Sequence, residues 1–116
     1  DSTAAGERTK ELLDLKVPPT CILYPDDVAC FGGMNVINER GLRIPEDISV
    51  VGYDGIRVGK HIKPRLTTLK QDTATIGVKA GEKLISLIER PKTTLIEQMV
   101  IKGEVYEGET VRYIEK

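Results

Sequence analysis

The sequence predicts an α/β fold with a largely parallel sheet flanked by helices. Segments with a helical period alternate along the chain with short apolar runs of strand length. These runs show little polar alternation, which is typical of strands buried in a parallel sheet. The length of 116 residues and the near-balance of 17 basic against 18 acidic residues fit one folded domain of this class.

The first half of the chain predicts two helices around a strand. Helical spacing extends over residues 4–15 and stops at a pair of prolines. The apolar run 21–24 predicts a buried strand. A helix then covers residues 28–40, with Asp27 as its N-cap and Gly41 as the left-handed residue after its end.

The second half continues the alternation. It predicts a strand over 48–53, a short helix around 57–62, a strand over 66–69, a helix from 72 or 73 to 90, and strand-like segments over 96–101 and 111–114. The long helix has the clearest pattern, because Ile76, Ala80 and Leu84 recur on one face.

Charge and hydropathy exclude several classes of function. Without an excess of basic residues, the chain lacks the face that binding to several backbone phosphates requires, so we expect no DNA binding by this chain alone. Its apolar stretches are shorter than the roughly 20 residues that span a bilayer. The first residues show no basic region followed by an apolar one, so we expect a cytoplasmic protein that does not contact membranes.

The cysteines and the histidine give no sign of a metal site or an active site. Cys21 and Cys30 lie in a strand-like and a helical pattern, and we expect both to be reduced and buried. His61, the sole histidine, has no accompanying nucleophile and is expected at a surface or interface. A phosphate-binding loop is also missing. We therefore predict no catalytic residue, no metal and no cofactor, and hence no enzyme.

Two predicted strands run into carboxylates, at Asp26 and at Asp54. Ligands of open parallel sheets bind beyond the carboxyl ends of the strands, so both side chains would face one site if their strands are near neighbours. Carboxylates accept strong hydrogen bonds from vicinal hydroxyls, which suits a neutral polyol better than an anion. The alternative is that both residues only cap helices or stabilise turns.

Three consecutive motifs carry a family resemblance. They are PTCILYPDD at residues 19–27, ERGLRIPEDISVVGYD at 39–54 and PRLTTLKQ at 64–71. The chain resembles LacI/GalR-type transcription regulators from about residue 10 to 105. The resemblance implies part of a periplasmic-binding-protein-like fold, in which two α/β subdomains flank a cleft. It places residues 1–69 in the C-terminal subdomain, 70–103 in the N-terminal subdomain, and 104–116 on the return to the first.

The resemblance also implies a ligand site. Asp54 matches the acidic residue that binds effector hydroxyls in that family, and Gln71 falls on a segment that crosses at the cleft. Asp26 stands where Asn is usual, which adds a charge and disfavours phosphorylated or carboxylated effectors. Thr73 replaces an aromatic residue that often stacks on the sugar, and Gly108 replaces the usual Arg.

The implied function is that of an effector-binding module, which binds a small molecule such as a sugar and controls DNA binding allosterically. DNA would be bound only through a domain outside this chain. A sugar-binding component of a transporter is the alternative.

Family members pair through the C-terminal subdomain, and Gly32 and Gly33 suggest close approach of a second copy, so we predict a homodimer through residues 28–40 and 56–63. The competing explanation is that these glycines pack within the chain.

Overall fold

A computed structural model describes residues 1–115. Its helices are α1 (Ser2–Leu13), α2 (Asp27–Glu39) and α3 (Thr73–Glu89), with a short 3-10 helix at Arg57–Lys60, and its strands are β1 (Cys21–Leu23), β2 (Ser49–Asp54), β3 (Thr68–Lys70) and β4 (Glu104–Tyr106). The chain forms two compact units, residues 1–70 with 105–116 and residues 71–104. The predicted α/β class is confirmed.

The four strands form one sheet in the order β1-β2-β3-β4. β1 and β2 are parallel with Leu23 opposite Val51, and β2 and β3 are parallel with Asp54 opposite Lys70. Parallel pairing brings the carboxyl ends of these three strands to one edge of the sheet. The polar residues that follow the strands are therefore neighbours in the fold.

The core of the first unit lies between the sheet and the helix pair α1 and α2. Its fully buried members include Ile37, Ile48, Val50 and Leu66. Gly41 has a φ of 73°, the left-handed conformation predicted after the end of α2. Since each large aliphatic side chain contributes roughly 1.5–3 kcal/mol when buried, this cluster is the main source of stability in the unit.

The end of the chain returns to the first unit through Thr110. This buried residue accepts a hydrogen bond from Val50 N–H at 3.0 Å and donates its own hydroxyl to the Val50 carbonyl at 2.7 Å. A Cβ at Gly108 would overlap the carbonyl of Arg65. The close approach of these two backbone segments explains why a large side chain is absent from position 108.

Two predicted strands are wrong. Residues 96–101 and 111–114 form no regular strand, and the last strand is Glu104–Tyr106 instead. Ile96 is 95% exposed, and no strand of the described chain pairs with the segment around it. An apolar run becomes a strand only where a neighbour accepts its backbone hydrogen bonds and covers its side chains, and sequence periodicity does not reveal that neighbour.

Burial also differs from the expectation in places. Cys30 is buried as predicted, but Cys21 is exposed, because β1 is the first strand of the sheet order and only Ile22 of its three residues faces the core. In the second unit, the predicted apolar face of α3 is formed, yet none of its residues is buried. Of the helices within residues 1–115, none is long and apolar enough to cross a membrane.

Gly32 and Gly33 pack within the chain. A Cβ at Gly32 would overlap the backbone of Ser2 in α1, and a Cβ at Gly33 would overlap the phenol of Tyr24. The argument that these glycines admit a second subunit is therefore wrong, because their faces of α2 are already occupied. Other residues of the 28–40 and 56–63 stretches remain exposed, among them Val28 and Val58, and the dimer stays a prediction.

Candidate functional site

The carboxyl-terminal edge of the sheet holds two of the three predicted site residues. Asp26 lies three residues after the end of β1, and Asp54 is the last residue of β2. Because β1 and β2 are adjacent and parallel, the condition under which these carboxylates would serve one ligand is met. Gln71 follows the last residue of β3 and is the first residue of the second unit.

Asp26, rather than Asp27, is the N-cap of α2. Its Oδ1 accepts a hydrogen bond from Ala29 N–H at 2.6 Å, and its own backbone is extended, as at a cap. The prediction that Asp27 is the cap is wrong by one residue. The aspartates are consecutive, so composition alone favours neither, and the backbone conformation decides. Asp26 is only partly buried and retains a face toward solvent.

Asp27 is a buried carboxylate that the sequence did not single out for this role. Its Oδ2 accepts from Ile56 N–H at 2.8 Å, and its Oδ1 accepts from the Thr68 hydroxyl at 2.7 Å. Each residue 1–115 with a fully buried side-chain polar atom has a hydrogen-bond partner for it, and Asp27 follows this rule. The only sequence signal for it was a second aspartate directly after the first.

Asp54 has an unusual backbone conformation. Its φ is 117°, which non-glycine residues rarely adopt, and the next residue, Gly55, also has a positive φ of 75°. A Cβ at Gly55 would lie 2.7 Å from the Cα of Lys70, so the turn lies directly on the end of β3. Such strain costs about 1–3 kcal/mol, and where it persists it is often associated with function.

The carboxylates at this edge affect the pKa of a cysteine in α2. Burial, together with the charges of Asp27 and Asp26, raises the pKa of the Cys30 thiol to about 12. The raised pKa therefore indicates that the carboxylates of Asp26 and Asp27 lie close to the buried Cys30 thiol. In the described part of the chain, no group of His, Cys, Asp or Glu could hold a metal ion.

Fold and edge together define a class: an α/β ligand-binding domain with carboxylates beyond the carboxyl ends of parallel strands. The periplasmic binding protein-like domain family matches residues 1–111. This chain belongs to that family.

Relatives and solved structures make the membership more specific. The chain is 41% identical over 93 residues to the probable HTH-type transcriptional repressor ExuR of Bacillus subtilis (strain 168), covering 80% of this chain and 28% of the relative. A LacI family transcriptional regulator from Enterococcus faecium with bound ribose superposes with a TM-score of 0.88 at 28% identity, over 99% of this chain and 42% of the other. The lac repressor dimer bound to operator and the anti-inducer ONPF superposes with a TM-score of 0.84 at 29% identity, over 96% of this chain and 38% of the other.

These comparisons confirm the resemblance to effector-binding domains of LacI/GalR-type regulators. The curated relatives are transcriptional repressors, which agrees with the prediction that the domain is not an enzyme. The chain spans less than a third of the ExuR relative and about two fifths of the solved chains.

Proposed function

We propose that this chain is the effector-binding part of a LacI/GalR-type transcription regulator and that its effector is a neutral sugar. The observation that carries the proposal is the pair of carboxylates, Asp26 and Asp54, at the ends of two adjacent parallel strands. Ribose in a structural relative supports the ligand class. We assign effector contact to Asp26, Asp54 and Gln71.

The remaining parts of the proposal concern assembly and control. We assign residues 1–69 and 104–116 to the C-terminal subdomain and 70–103 to the N-terminal one. A cytoplasmic homodimer would form through residues 28–40 and 56–63, and effector binding would change DNA binding through a domain other than this chain. An effector exerts such control only if its affinity differs between the two states of the regulator. The names of the curated relatives favour this function over that of a transporter component.

The test is a thermal-shift screen of the intact protein with D-ribose, D-galactose, lactose and D-ribose 5-phosphate. We expect at least one neutral sugar to raise the melting temperature, and the phosphorylated sugar to bind more weakly because it meets two carboxylates.

Asp54→Ala should abolish the response to sugar while the protein stays folded. It removes a charge-assisted hydrogen bond of about 1.5–3 kcal/mol from an incompletely buried position. Glu46→Ala is the control, since it removes an exposed carboxylate from the connection before β2. Unchanged sugar affinity in Asp54→Ala would refute the site, and a preference for the phosphorylated sugar would refute the ligand class.

A further inference from the structure

The side chain of Asp27 links three elements of the fold next to the candidate site. The side chain is fully buried and lies in the first turn of α2, next to Asp26. Burying a carboxylate is unfavourable unless it is hydrogen-bonded, and here both oxygens accept, one from Ile56 N–H and the other from the Thr68 hydroxyl. These bonds connect α2 to the turn after β2 and to β3.

The surroundings of Asp27 fix its position closely. A Cβ at Gly52 would overlap its Oδ1, so β2 passes against the carboxylate without room for a side chain. Thr68 is buried as well, which holds the hydroxyl that donates to Asp27 in place. The carboxylate is thus confined between two adjacent strands and the helix.

The turn that Asp27 holds contains Asp54. Ile56 is two residues after Asp54, and Asp54 and Gly55 both have positive φ values. Gly55 adopts this conformation freely, but at Asp54 it is strained and persists only where neighbouring groups enforce it. The hydrogen bond from Ile56 N–H to Asp27 is a tertiary contact that fixes the residue directly after this pair.

We infer that Asp27 is a positioning residue for effector binding: it holds the 54–56 turn so that the Asp54 carboxylate is presented at the edge of the sheet. The inference rests on the proposed function, since it concerns the same site. Asp27 itself, being fully buried, is not assigned a contact with the effector.

The experiment compares three variants of the intact protein. Asp27→Ala removes both acceptors, and Thr68→Val removes one partner while keeping a similar shape. Asp27→Asn is the conservative variant, because its amide oxygen can accept from Ile56 N–H and its amide group can donate to the Thr68 hydroxyl. Hydrogen exchange at the Ile56 amide reports the turn. The dissociation constant for the tightest neutral sugar of the four-compound panel reports the site.

For Asp27→Ala, we expect faster exchange at Ile56 and a dissociation constant raised about tenfold, the equivalent of one hydrogen bond near 1.4 kcal/mol. Asp27→Asn should restore both readouts to within a few-fold of the wild type. Thr68→Val should raise the dissociation constant by a smaller factor, and it provides the decisive measurement if Asp27→Ala does not fold.

The outcomes separate the two proposals. If the wild type binds a neutral sugar but folded Asp27→Ala or Thr68→Val binds it equally well, the positioning role is wrong and the proposed function stands. If Ile56 exchange is unchanged in both variants, Asp27 does not hold the turn and the inference is also wrong. If the wild type binds none of the sugars, the proposed function fails first, whatever the exchange data show about the turn.

Discussion

The hydroxyl of Thr9 in α1 lies 2.7 Å from the phenolic oxygen of Tyr24, which follows β1. Thr9 also donates its one hydroxyl hydrogen to the Ala5 carbonyl at 2.8 Å, so Tyr24 must be the donor in the pair. Both side chains are buried, and this bond links the helix to the end of the strand that precedes Asp26.

The direction of this bond predicts unequal costs for its two partners. Tyr24→Phe removes the donor and leaves Thr9 with Ala5, so we expect a loss of about 1 kcal/mol in the free energy of unfolding. Thr9→Val leaves the Tyr24 hydroxyl buried without an acceptor, which should cost about 1–3 kcal/mol. Urea unfolding of both single variants and the double variant measures this. A larger loss in Tyr24→Phe than in Thr9→Val would contradict the assignment of Tyr24 as the donor.

Glycines at two helices predict opposite responses to alanine. Gly32→Ala should destabilise the chain, because overpacking against the Ser2 backbone costs about 1–3 kcal/mol or more. Gly81→Ala in α3 is the matched control, since nothing lies within 4 Å of its added Cβ. It should stabilise α3 by roughly 0.5–1 kcal/mol through helix propensity. Thermal unfolding, monitored by circular dichroism, measures both changes in stability. Stabilisation by Gly32→Ala would contradict the packing of α1 on α2.

The cysteines should differ in reactivity. Cys30 is fully buried with its pKa raised to about 12, whereas Cys21 is exposed, although partial burial raises its pKa too. Because the thiolate is the nucleophile, iodoacetamide at neutral pH should label Cys21 and leave Cys30 unmodified until the chain unfolds. Mass spectrometry with and without urea reads this out. Equal labelling of both thiols in the folded chain would be inconsistent with the core described.

The same shift predicts an alkaline loss of stability. The folded-state pKa of Cys30 lies above the ordinary thiol value of 9.0, so the folded chain keeps a proton that the unfolded chain releases. The contribution of the Cys30 thiol to the free energy of unfolding is fully present below pH 9.0 and is lost as the pH rises toward 12. Cys30→Ala should flatten this part of the pH profile of unfolding free energy, while Cys21→Ala should change it less.

Asp26 combines a cap and a candidate ligand contact, and two substitutions separate them. Asp26→Asn keeps an oxygen for Ala29 N–H, so stability should stay nearly constant, whereas Asp26→Ala should lose about 1 kcal/mol. Both variants remove the charge, which should weaken discrimination against D-ribose 5-phosphate. Paired unfolding and sugar-binding measurements test this. If Asp26→Asn destabilises as much as Asp26→Ala, the cap is not the role of this side chain.

Because Gly32 and Gly33 pack within the chain, the predicted dimer would have to form through exposed side chains of the 28–40 and 56–63 stretches. Val58 is 55% exposed within the 56–63 stretch, and Val58→Asp should shift the sedimentation coefficient from that of a dimer toward that of a monomer. Val78→Asp is the control, because Val78 is 58% exposed but lies in α3, outside both stretches. Dissociation by the control alone would locate self-association on the second unit.

The sequence by itself determined the α/β class, the order of the main elements and the family. Local rules were sufficient there: helical periodicity defined α3, Gly41 marked the end of α2, and the motifs around Asp26 and Asp54 carried the resemblance. It also pointed to the edge of the sheet where those two carboxylates lie.

Tertiary structure decided everything that depends on a partner distant in the sequence. Which of two consecutive aspartates caps α2 and which is buried depends on where Ile56 and Thr68 arrive, and no local pattern contains that information. The burial of Gly32 against α1, the exposure of Cys21 and the absence of a strand over 96–101 have the same cause. Backbone hydrogen bonds and apolar contacts are made between segments, so their outcome is fixed only when the segments meet.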